Sequence, residues 1–148
     1  MRIDRAAASD VPAVEALLSA AGLPLDGARE ALELGVVARS GGSGDVLAAA
    51  AIERYGPSGL LRSVVVAPRV RGTGLGREIV SAAERLARTE GIRDLYLLTE
   101  TAIDWFPRLG YEVVDRAVAV AAVGQSIEFT TVCRDTGVPM RRTLVRDA

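Results

Sequence analysis

The sequence predicts a mixed, mostly antiparallel sheet of about six or seven strands with helices on both faces. The first half of the chain has short apolar stretches separated by Gly- and Pro-rich turns, which is typical of antiparallel strands. Residues 60–98 have the order strand, Gly-rich loop, helix and strand, which indicates a parallel crossover. The length of 148 residues suits a single domain over residues 1–148.

The elements of the first half follow from local signals. Ser9 and Asp10 form a helix-start signal ahead of Pro12. Gly22 and Pro24 end that helix. The other predicted elements are a first strand at 1–6, a short helix at 26–34, strands at 36–39, 46–55 and 60–66, and turns at 41–44 and 56–59.

The second half is expected to alternate helices and strands. An amphipathic helix covers 74–90, and an apolar strand follows at 95–98. Thr101 and Asp104 are close to a capping box and predict a helix to about residue 109, which Gly110 ends. The last predicted elements are a strand at 111–114, a segment of weak helical character at 119–132 and a strand at 140–146.

Composition excludes several kinds of chemistry. All 18 basic residues are Arg, which excludes a pyridoxal Schiff base, an aldolase-type imine and a Walker A nucleotide site. The absence of His excludes Ser–His and Cys–His triads and imidazole metal ligands. A single cysteine, Cys133, excludes an internal disulfide, a zinc knuckle and an iron–sulfur cluster. Acid–base chemistry must therefore use carboxylates, Tyr, the lone thiol, backbone dipoles or water.

Charge and hydropathy bound the partners and the compartment. The net charge of −1 does not favour non-specific binding to nucleic acid or to an anionic membrane. The charged N-terminal segment has no apolar core of a signal peptide, and no apolar run approaches the length of a bilayer span. We therefore expect a cytoplasmic protein that binds a small molecule, and a homodimer stays open.

An anion site is predicted in the loop RVRGTGLGR at 69–77, ahead of the amphipathic helix. The first amides of a helix have no intrahelical partners and carry the positive end of its dipole. Glycines let an anion approach the backbone, and three arginines add positive charge. The alternative is an ordinary Gly-rich turn with solubilising arginines. The glycine spacing differs from the G-x-G-x-x-G fingerprint, and the early meander disfavours a generic Rossmann domain.

Two motifs in this half of the chain resemble a known family. Arg71-x-x-Gly74-x-Gly76, preceded by VVVAP at 64–68, resembles motif A of the GNAT acyltransferases. The stretch WFPRLGY at 105–111 resembles their motif B. The distance between the motifs and the strand order also match, so the resemblance covers nearly the whole chain. It implies the GNAT acyl-CoA N-acyltransferase fold and transfer of an acyl group to an amine.

The resemblance implies acetyl-CoA as cosubstrate and no metal. The cosubstrate would lie between the strands at 60–66 and 95–98, where a strand amide would polarise the thioester carbonyl. The acceptor amine would attack directly, without a covalent enzyme intermediate. The residues that the resemblance implies for acetyl-CoA binding are Val64, Val65, Val66, Arg71, Gly72, Thr73, Gly74, Leu75, Gly76, Arg77 and Phe106.

Phe106 is a departure from motif B. Many GNAT members have a Tyr at this position, which donates a proton to the leaving thiolate, and Phe has no such proton. The thiolate must therefore be protonated by water, by another group, or off the enzyme. This departure leaves a second class of function open, namely a catalytically weak acyl-CoA-binding module that serves regulation or assembly.

A narrower resemblance points to the GNAT acetyltransferases of arsenic-resistance operons. It is carried by IERYG at 52–56, LLRSV at 60–64, LLT at 97–99, VDRA at 114–117, EF at 128–129 with Cys133, and MRR at 140–142. It implies a small amine acceptor, such as an amino acid or an arsenic- or phosphorus-containing amino-acid toxin.

Glu53 is the candidate catalytic base, because an aliphatic ammonium must lose a proton before it attacks. If 56–59 is a four-residue hairpin loop, Glu53 faces Arg62 across the hairpin. Arg62 would then orient an acidic substrate. The alternative is an exposed ion pair between the two side chains, with no catalytic role. The residues expected to bind the acceptor are Arg62, Ser63, Tyr55 and Thr99.

Three further residues carry both a functional and a structural interpretation, and two arginines carry only a structural one. Glu100 is either a second candidate base or a carboxylate at a helix start. Cys133 is either a ligand for a soft ion or a small packed side chain. Trp105 is expected in the core rather than on a stacking surface. Arg141 and Arg142 are expected to be solvated on opposite faces of the last strand.

Overall fold

The computed structural model describes residues 1–132 and 136–144. Its strands are β1 (Arg2–Arg5), β2 (Gly35–Arg39), β3 (Val46–Tyr55), β4 (Ser58–Val66), β5 (Asp94–Thr99), β6 (Glu112–Val113) and β7 (Val138–Thr143). Its α-helices are α1 (Val11–Ala20), α2 (Ala28–Ala31), α3 (Leu75–Thr89) and α4 (Arg116–Val123). Short 3₁₀ helices cover Ala8–Asp10, Leu32–Leu34, Pro68–Val70 and Phe106–Leu109, and a π-helix covers Glu128–Val132.

The described strands form one seven-stranded sheet, in the order β1-β2-β3-β4-β5-β7-β6. β4 and β5 are parallel, and the pairs β1–β2, β2–β3, β5–β7 and β6–β7 are antiparallel. The predicted mixed, mostly antiparallel sheet is confirmed. The parallel pair lies where the strand–loop–helix–strand order predicted a crossover.

The chain divides into two compact units. The first contains Met1–Ile52 and Arg62–Leu86, and the second contains Glu53–Leu61 and Ala87–Ala148. The longest described helix, α3, has 15 residues, and none of the described helices combines the length and apolar composition that a bilayer span requires.

The core of the first unit contains apolar side chains of α1, α2, β2, β3 and β4. Its fully or almost fully buried members include Val14, Leu18, Val37, Ala49 and Val65. Small alanines occupy the middle of β3 because the neighbouring strand and helices leave little room there. The loop from β4 to α3 leaves this core at the C-terminal end of β4.

The core of the second unit lies around β5 and α4. Leu60, Tyr96, Ala119, Val123 and Phe129 form a buried apolar cluster. Tyr55, Leu98, Val114 and Ala122 pack against this cluster and are partly exposed. Tyr96 on β5 lies opposite both Leu60 on β4 and Arg141 on β7.

The predicted helix over 101–109 is wrong. Only Phe106–Leu109 is helical, and it is a 3₁₀ turn. The Thr99 hydroxyl accepts a hydrogen bond from the Ala102 amide at 2.9 Å, which closes the preceding loop as a separate turn. Pro107 lacks an amide proton and Gly110 has a φ of 98°, so this segment does not continue as a regular helix.

The predicted hairpin loop at 56–59 is also wrong. β3 ends at Tyr55 and β4 begins at Ser58, so the turn has only Gly56 and Pro57. Gly56 has a φ of 62°, which the tight turn requires and which glycine adopts without strain. The predicted opposition of Glu53 and Arg62 assumes a four-residue loop. The register argument for a direct Glu53–Arg62 pair therefore no longer holds.

Several other boundaries differ from the predictions. Asp10 precedes α1, but its side chain does not cap that helix. α4 begins earlier than the weak helical segment predicted at 119–132, whose end is the π-helix. β7 begins at Val138, and residues 145 and 146 of the predicted last strand lie outside the described residues, as does Cys133.

Arg141 and Arg142 are half-buried rather than solvated. The Arg141 guanidinium lies 5.9 Å from the centre of the Tyr96 ring, and its Nη1 is 3.5 Å from the Tyr96 hydroxyl oxygen. The Arg142 Nη1 donates to the Leu109 carbonyl at 2.9 Å. Both arginines thus stabilise the second unit from within the sheet.

Candidate active site

The loop between β4 and α3 is held in shape by hydrogen bonds of its backbone and of two of its side chains. The Ala67 amide donates to the Leu47 carbonyl at 2.7 Å, which ties the end of β4 to β3. Pro68–Val70 forms a 3₁₀ turn, and the Thr73 hydroxyl donates to the Val70 carbonyl at 2.6 Å. The Arg71 Nε donates to the Val66 carbonyl at 3.3 Å. These bonds fix the course of the chain into α3.

The start of α3 has the features of an anion site. Gly72 and Gly74 have φ values of 81° and 86°, a region that favours glycine. The Glu78 amide bonds to the Gly74 carbonyl at 3.2 Å, so the helix begins directly after Gly74. The amides that precede Glu78 in the helix have no intrahelical partner. A Cβ placed on Gly72 or Gly74 meets nothing within 4 Å, so the space beside these backbones is open.

Residues 71–74 are exposed, and positive charge surrounds the loop. Arg71 and Arg77 are exposed arginines of this segment, and Arg69 forms a surface ion pair of 3.7 Å with Asp45. A pyrophosphate needs exposed amides, an approach that no side chain blocks, and nearby cations. The residues present meet these three requirements, so they fit the diphosphate group of coenzyme A.

Ser63 interrupts the regular alternation of β4. Its φ is 56°, which makes it the one non-glycine residue with a positive φ in the described chain. Arg62 reaches the segment before α2, and Val65 packs into the cluster that contains α1 and α2. Arg62 and Val65 are therefore on the same side of β4, whereas two residues three apart in a regular strand point to opposite faces. The alternation is broken at Ser63, so Arg62 does not share a face with Val64 and Val66 as predicted.

The three valines of β4 have different environments. Val65 is 4% exposed and belongs to the core of the first unit. Val64 and Val66 are half-buried. Any contact that Val65 makes with a ligand must therefore come from its backbone, while the other two valines also present side chains.

Arg62 is a buried cation. It is 3% exposed, its Nη2 donates to the Asp26 carbonyl at 2.6 Å, and its Nε donates to the Ser63 hydroxyl at 3.2 Å. These bonds hold the guanidinium in one orientation within the first unit. A buried, oriented guanidinium is suited to recognition of a carboxylate or a phosphate-like group.

Glu53 and Tyr55 form a hydrogen-bonded pair near the end of β3. The Tyr55 hydroxyl donates to Glu53 Oε1 at 2.6 Å, and both side chains are half-buried. Sequence reasoning named both residues but not their contact. The signal was available, because residues two apart on a strand share a face.

Thr99 and Glu100 have structural partners at the end of β5. Thr99 is 7% exposed, and its hydroxyl accepts from the Ala102 amide. Glu100 Oε1 accepts a hydrogen bond from the exposed Thr136 hydroxyl at 2.7 Å. Because no regular helix follows Glu100, its predicted place at a helix start is wrong.

Phe106 is 7% exposed and belongs to an aromatic cluster in the second unit. Its ring meets Trp105 edge-on at 4.9 Å and Tyr111 edge-on at 5.7 Å. Tyr111 is 1% exposed, whereas Trp105 is half-buried. Gly110 closes this segment, and a Cβ there would come within 3.2 Å of the Arg142 guanidinium.

The pKa values of Asp10 and Arg39 are shifted, and neither residue belongs to the candidate site. Two hydrogen bonds from Arg39 hold the pKa of the Asp10 carboxyl below its ordinary value, and burial only partly opposes them. The same contact raises the pKa of the Arg39 guanidinium. This pair joins the 3₁₀ turn before α1 to β2 and therefore serves the fold.

The fold and the loop define an α/β protein with an open, Gly-rich helix start. A family model described as an acetyltransferase (GNAT) domain matches residues 32–113, which is more than half of the chain. The chain therefore belongs to the GNAT acetyltransferase family, and it is an acyltransferase. No curated protein sequence matches it.

Solved structures share the fold at low sequence identity. Rv2747 from Mycobacterium tuberculosis, in complex with CoA and NLQ, is 21% identical with a TM-score of 0.77, over 98% of this chain and 100% of that one. N-acetylglutamate synthase from Neisseria gonorrhoeae, complexed with coenzyme A and N-acetyl-glutamate, is 19% identical with a TM-score of 0.81. That match covers 98% of this chain but only 35% of the synthase. An aminoglycoside 6'-N-acetyltransferase complexed with coenzyme A is 15% identical with a TM-score of 0.72, over 100% and 99% of the two chains.

Proposed function

We propose that residues 1–148 form a single acetyltransferase domain that transfers an acetyl group from acetyl-CoA to the amine of a small molecule. The observation that carries this proposal is the open, Gly-rich start of α3, which fits the diphosphate of coenzyme A. Structural relatives in complex with coenzyme A support the same assignment.

Acetyl-CoA supplies an activated thioester, and the chain binds and orients it. We assign the diphosphate to the amides of Arg71, Gly72, Thr73, Gly74, Leu75, Gly76 and Arg77. The backbone of Val64, Val65 and Val66 would pair with the pantetheine arm as an added strand would. A backbone amide of this strand would stabilise the developing oxyanion of the thioester carbonyl. Phe106 contributes apolar surface on the cosubstrate side.

The acceptor side is assigned to Arg62, Ser63, Tyr55 and Thr99, with Glu53 as the base. The buried guanidinium of Arg62 supports an acceptor that carries an acidic group. An amino acid has both that group and the amine. The narrower resemblance to enzymes of arsenic-resistance operons extends this class to phosphorus- and arsenic-containing analogues, and it stays a prediction.

The proton balance of the reaction needs one acceptor and one donor. Glu53 takes a proton from the attacking amine, directly or through water, because the chain has no His or Lys for this purpose. The departing thiolate takes a proton from water, because Phe106 has no hydroxyl. The acyl carbon exchanges its bond to sulfur for a bond to nitrogen without a covalent enzyme intermediate.

Phe106 also supports a second candidate function, a catalytically weak acyl-CoA-binding module. Both candidates require the site at the start of α3. They differ at the acceptor, because a binding module needs neither a base nor a group that orients an amine.

Acceptor-dependent thiol release tests the proposal. Purified protein and acetyl-CoA are mixed with a panel of L-amino acids, 2-amino-4-phosphonobutyrate and an aminoglycoside, and free thiol is followed over time. We expect at least one acidic amino acid or analogue to raise thiol release well above the rate without acceptor. Binding of coenzyme A without release by any amine would favour the binding module, and absence of binding would refute both candidates.

A further inference from the structure

We infer that Tyr55 is a positioning residue for Glu53: its hydroxyl holds the carboxylate in the orientation in which it takes the proton of the acceptor amine. This inference rests on the proposed function, since it assigns a role relative to the proposed base. It narrows the assignment of Tyr55 to the acceptor side, because the hydroxyl acts on the acceptor through Glu53 and not by direct contact.

The hydrogen bond between the two side chains is short and local. The Tyr55 oxygen lies 2.6 Å from Glu53 Oε1, within the range of a hydrogen bond from a hydroxyl to a charged acceptor. The two residues are two positions apart on β3 and so share one face of the strand. At neutral pH a phenol is protonated, so Tyr55 acts as a donor and does not compete with Glu53 as a base.

The ring of Tyr55 is anchored on its apolar side. It packs against the cluster of Leu60, Tyr96, Ala119, Val123 and Phe129, while the residue as a whole is half-buried. A tyrosine with an anchored ring presents its hydroxyl donor with few degrees of freedom. A glutamate alone has three rotatable side-chain bonds, so an anchored donor reduces the number of its orientations.

The strand that carries the pair is held at its turn. The Arg93 amide donates to the Pro57 carbonyl at 2.7 Å, and the Ser58 hydroxyl donates to Asp94 Oδ1 at 2.7 Å. The Arg54 Nε donates to the Gly56 carbonyl at 3.3 Å. The turn after Tyr55 is therefore tied to the start of β5, so the donor and the carboxylate are carried by a fixed piece of backbone.

The hydrogen bond also suits turnover. When Glu53 accepts the amine proton, its carboxylate becomes a neutral acid, to which the Tyr55 hydroxyl bonds less strongly. Glu53 passes this proton to water before the next turnover. Tyr55 keeps its own proton throughout, and no bond to it forms or breaks.

A double-mutant cycle tests the inference. The variants are Glu53→Gln, Tyr55→Phe and their combination, assayed with the amine of the panel that gives the fastest thiol release. Tyr96→Phe is the matched control, because it removes a hydroxyl from the same apolar cluster beside Arg141 instead of Glu53. The measurements are kcat, the KM for the acceptor, the pH dependence of kcat and the melting temperature.

We expect Tyr55→Phe to lower kcat by about tenfold, as loss of a hydrogen bond to a charged group does, with little change in the KM for the acceptor. In the Glu53→Gln background the same substitution should cause no further loss, because Tyr55 acts through Glu53. Tyr96→Phe should keep kcat near the wild-type value.

The following results would overturn the inference. An equal loss of kcat in both backgrounds, or a rise confined to the KM, would place Tyr55 in contact with the acceptor. An unchanged kcat with a lower melting temperature would make Tyr55 structural. If Glu53→Gln itself keeps full kcat at all pH values, the base assignment fails and the inference fails with it. If Glu53→Gln lowers kcat and Tyr55→Phe does not, the base assignment stands and only the role inferred for Tyr55 is refuted.

Discussion

The buried pair of Asp10 and Arg39 offers a direct test of what holds the first unit together. Asp10 Oδ1 and Oδ2 accept from Arg39 Nη1 and Nη2 at 2.5 and 2.6 Å, and Oδ2 also accepts from the Ala7 amide at 2.7 Å. The Asp10 side chain is 5% exposed, and that of Arg39 is 21% exposed. Substitution Asp10→Asn keeps the size of the side chain but removes its charge and places an amide donor against the guanidinium.

The expected cost follows from this geometry. Removal of one partner of a buried ion pair costs about 3–5 kcal/mol, because the remaining charge stays buried without compensation. Arg39 keeps part of its exposure and a 3.3 Å contact with Asp4, so its guanidinium retains some stabilisation. We therefore expect Asp10→Asn to lower the free energy of unfolding by about 2–3 kcal/mol at neutral pH.

The lowered pKa of Asp10 also sets how the stability difference between wild type and Asp10→Asn depends on pH. The hydrogen bonds from Arg39 lower the pKa of Asp10 in the folded state below the ordinary value of 3.8. A carboxyl with a lowered folded pKa adds stability above its unfolded pKa and loses it as the pH falls through the folded value. The stability difference between wild type and Asp10→Asn should therefore be constant from pH 7 to about pH 5 and shrink below about pH 4.

Urea denaturation followed by circular dichroism measures this difference at a series of pH values. Asp4→Asn is the control, because Asp4 contacts the same Arg39 but its side chain is 35% exposed. We expect that control to change stability by less than about 1 kcal/mol. A loss for Asp10→Asn no larger than for Asp4→Asn, or one that does not change between pH 7 and pH 3, would refute the reasoning.

Three further predictions concern the candidate active site. Millimolar coenzyme A should raise the melting temperatures of the wild type and of Gly22→Ala, and it should raise that of Gly74→Ala much less. Both glycines have a positive φ, but only Gly74 precedes α3. An unchanged melting temperature of the wild type would contradict the site. Phe106→Tyr should change kcat by less than about tenfold, because water protonates the thiolate; an inactive wild type that gains activity with this substitution would favour the binding module. Arg62→Gln should raise the KM for an acidic acceptor. It should also lower the free energy of unfolding by about 1–3 kcal/mol, because Arg62 is buried. An unchanged KM would exclude Arg62 from the acceptor site.

Much of the fold is encoded in local patterns of the sequence. β3 has the bounds that its flanking Gly-rich turns predicted, and α3 differs from its predicted range by one residue at each end. The loop before α3 has the left-handed glycines and helix start that its composition indicated. These features depend on neighbouring residues, because the conformation of glycine and the periodicity of a helix are local properties.

Local patterns failed where two signals compete within a few residues. The segment 101–109 has a helix-start signal, but the Thr99 hydroxyl bonds to the Ala102 amide and Pro107 prevents a regular helix. The turn after Tyr55 is two residues shorter than its Gly- and Pro-rich composition suggested, and the register of Glu53 changes with it. One altered turn moves every cross-strand partner of a hairpin.

The sequence by itself determined the chemistry available to this protein, the order of most of its elements and the Gly-rich loop at 69–77 ahead of a helix, because residue types and local periodicity carry this information. Only the tertiary structure decided the partners of the charged side chains. It buried Arg62 against the Asp26 carbonyl and joined Asp10 to Arg39, 29 residues away. Such contacts depend on how separate elements pack, and a desolvated charge is stable only where packing brings it a partner.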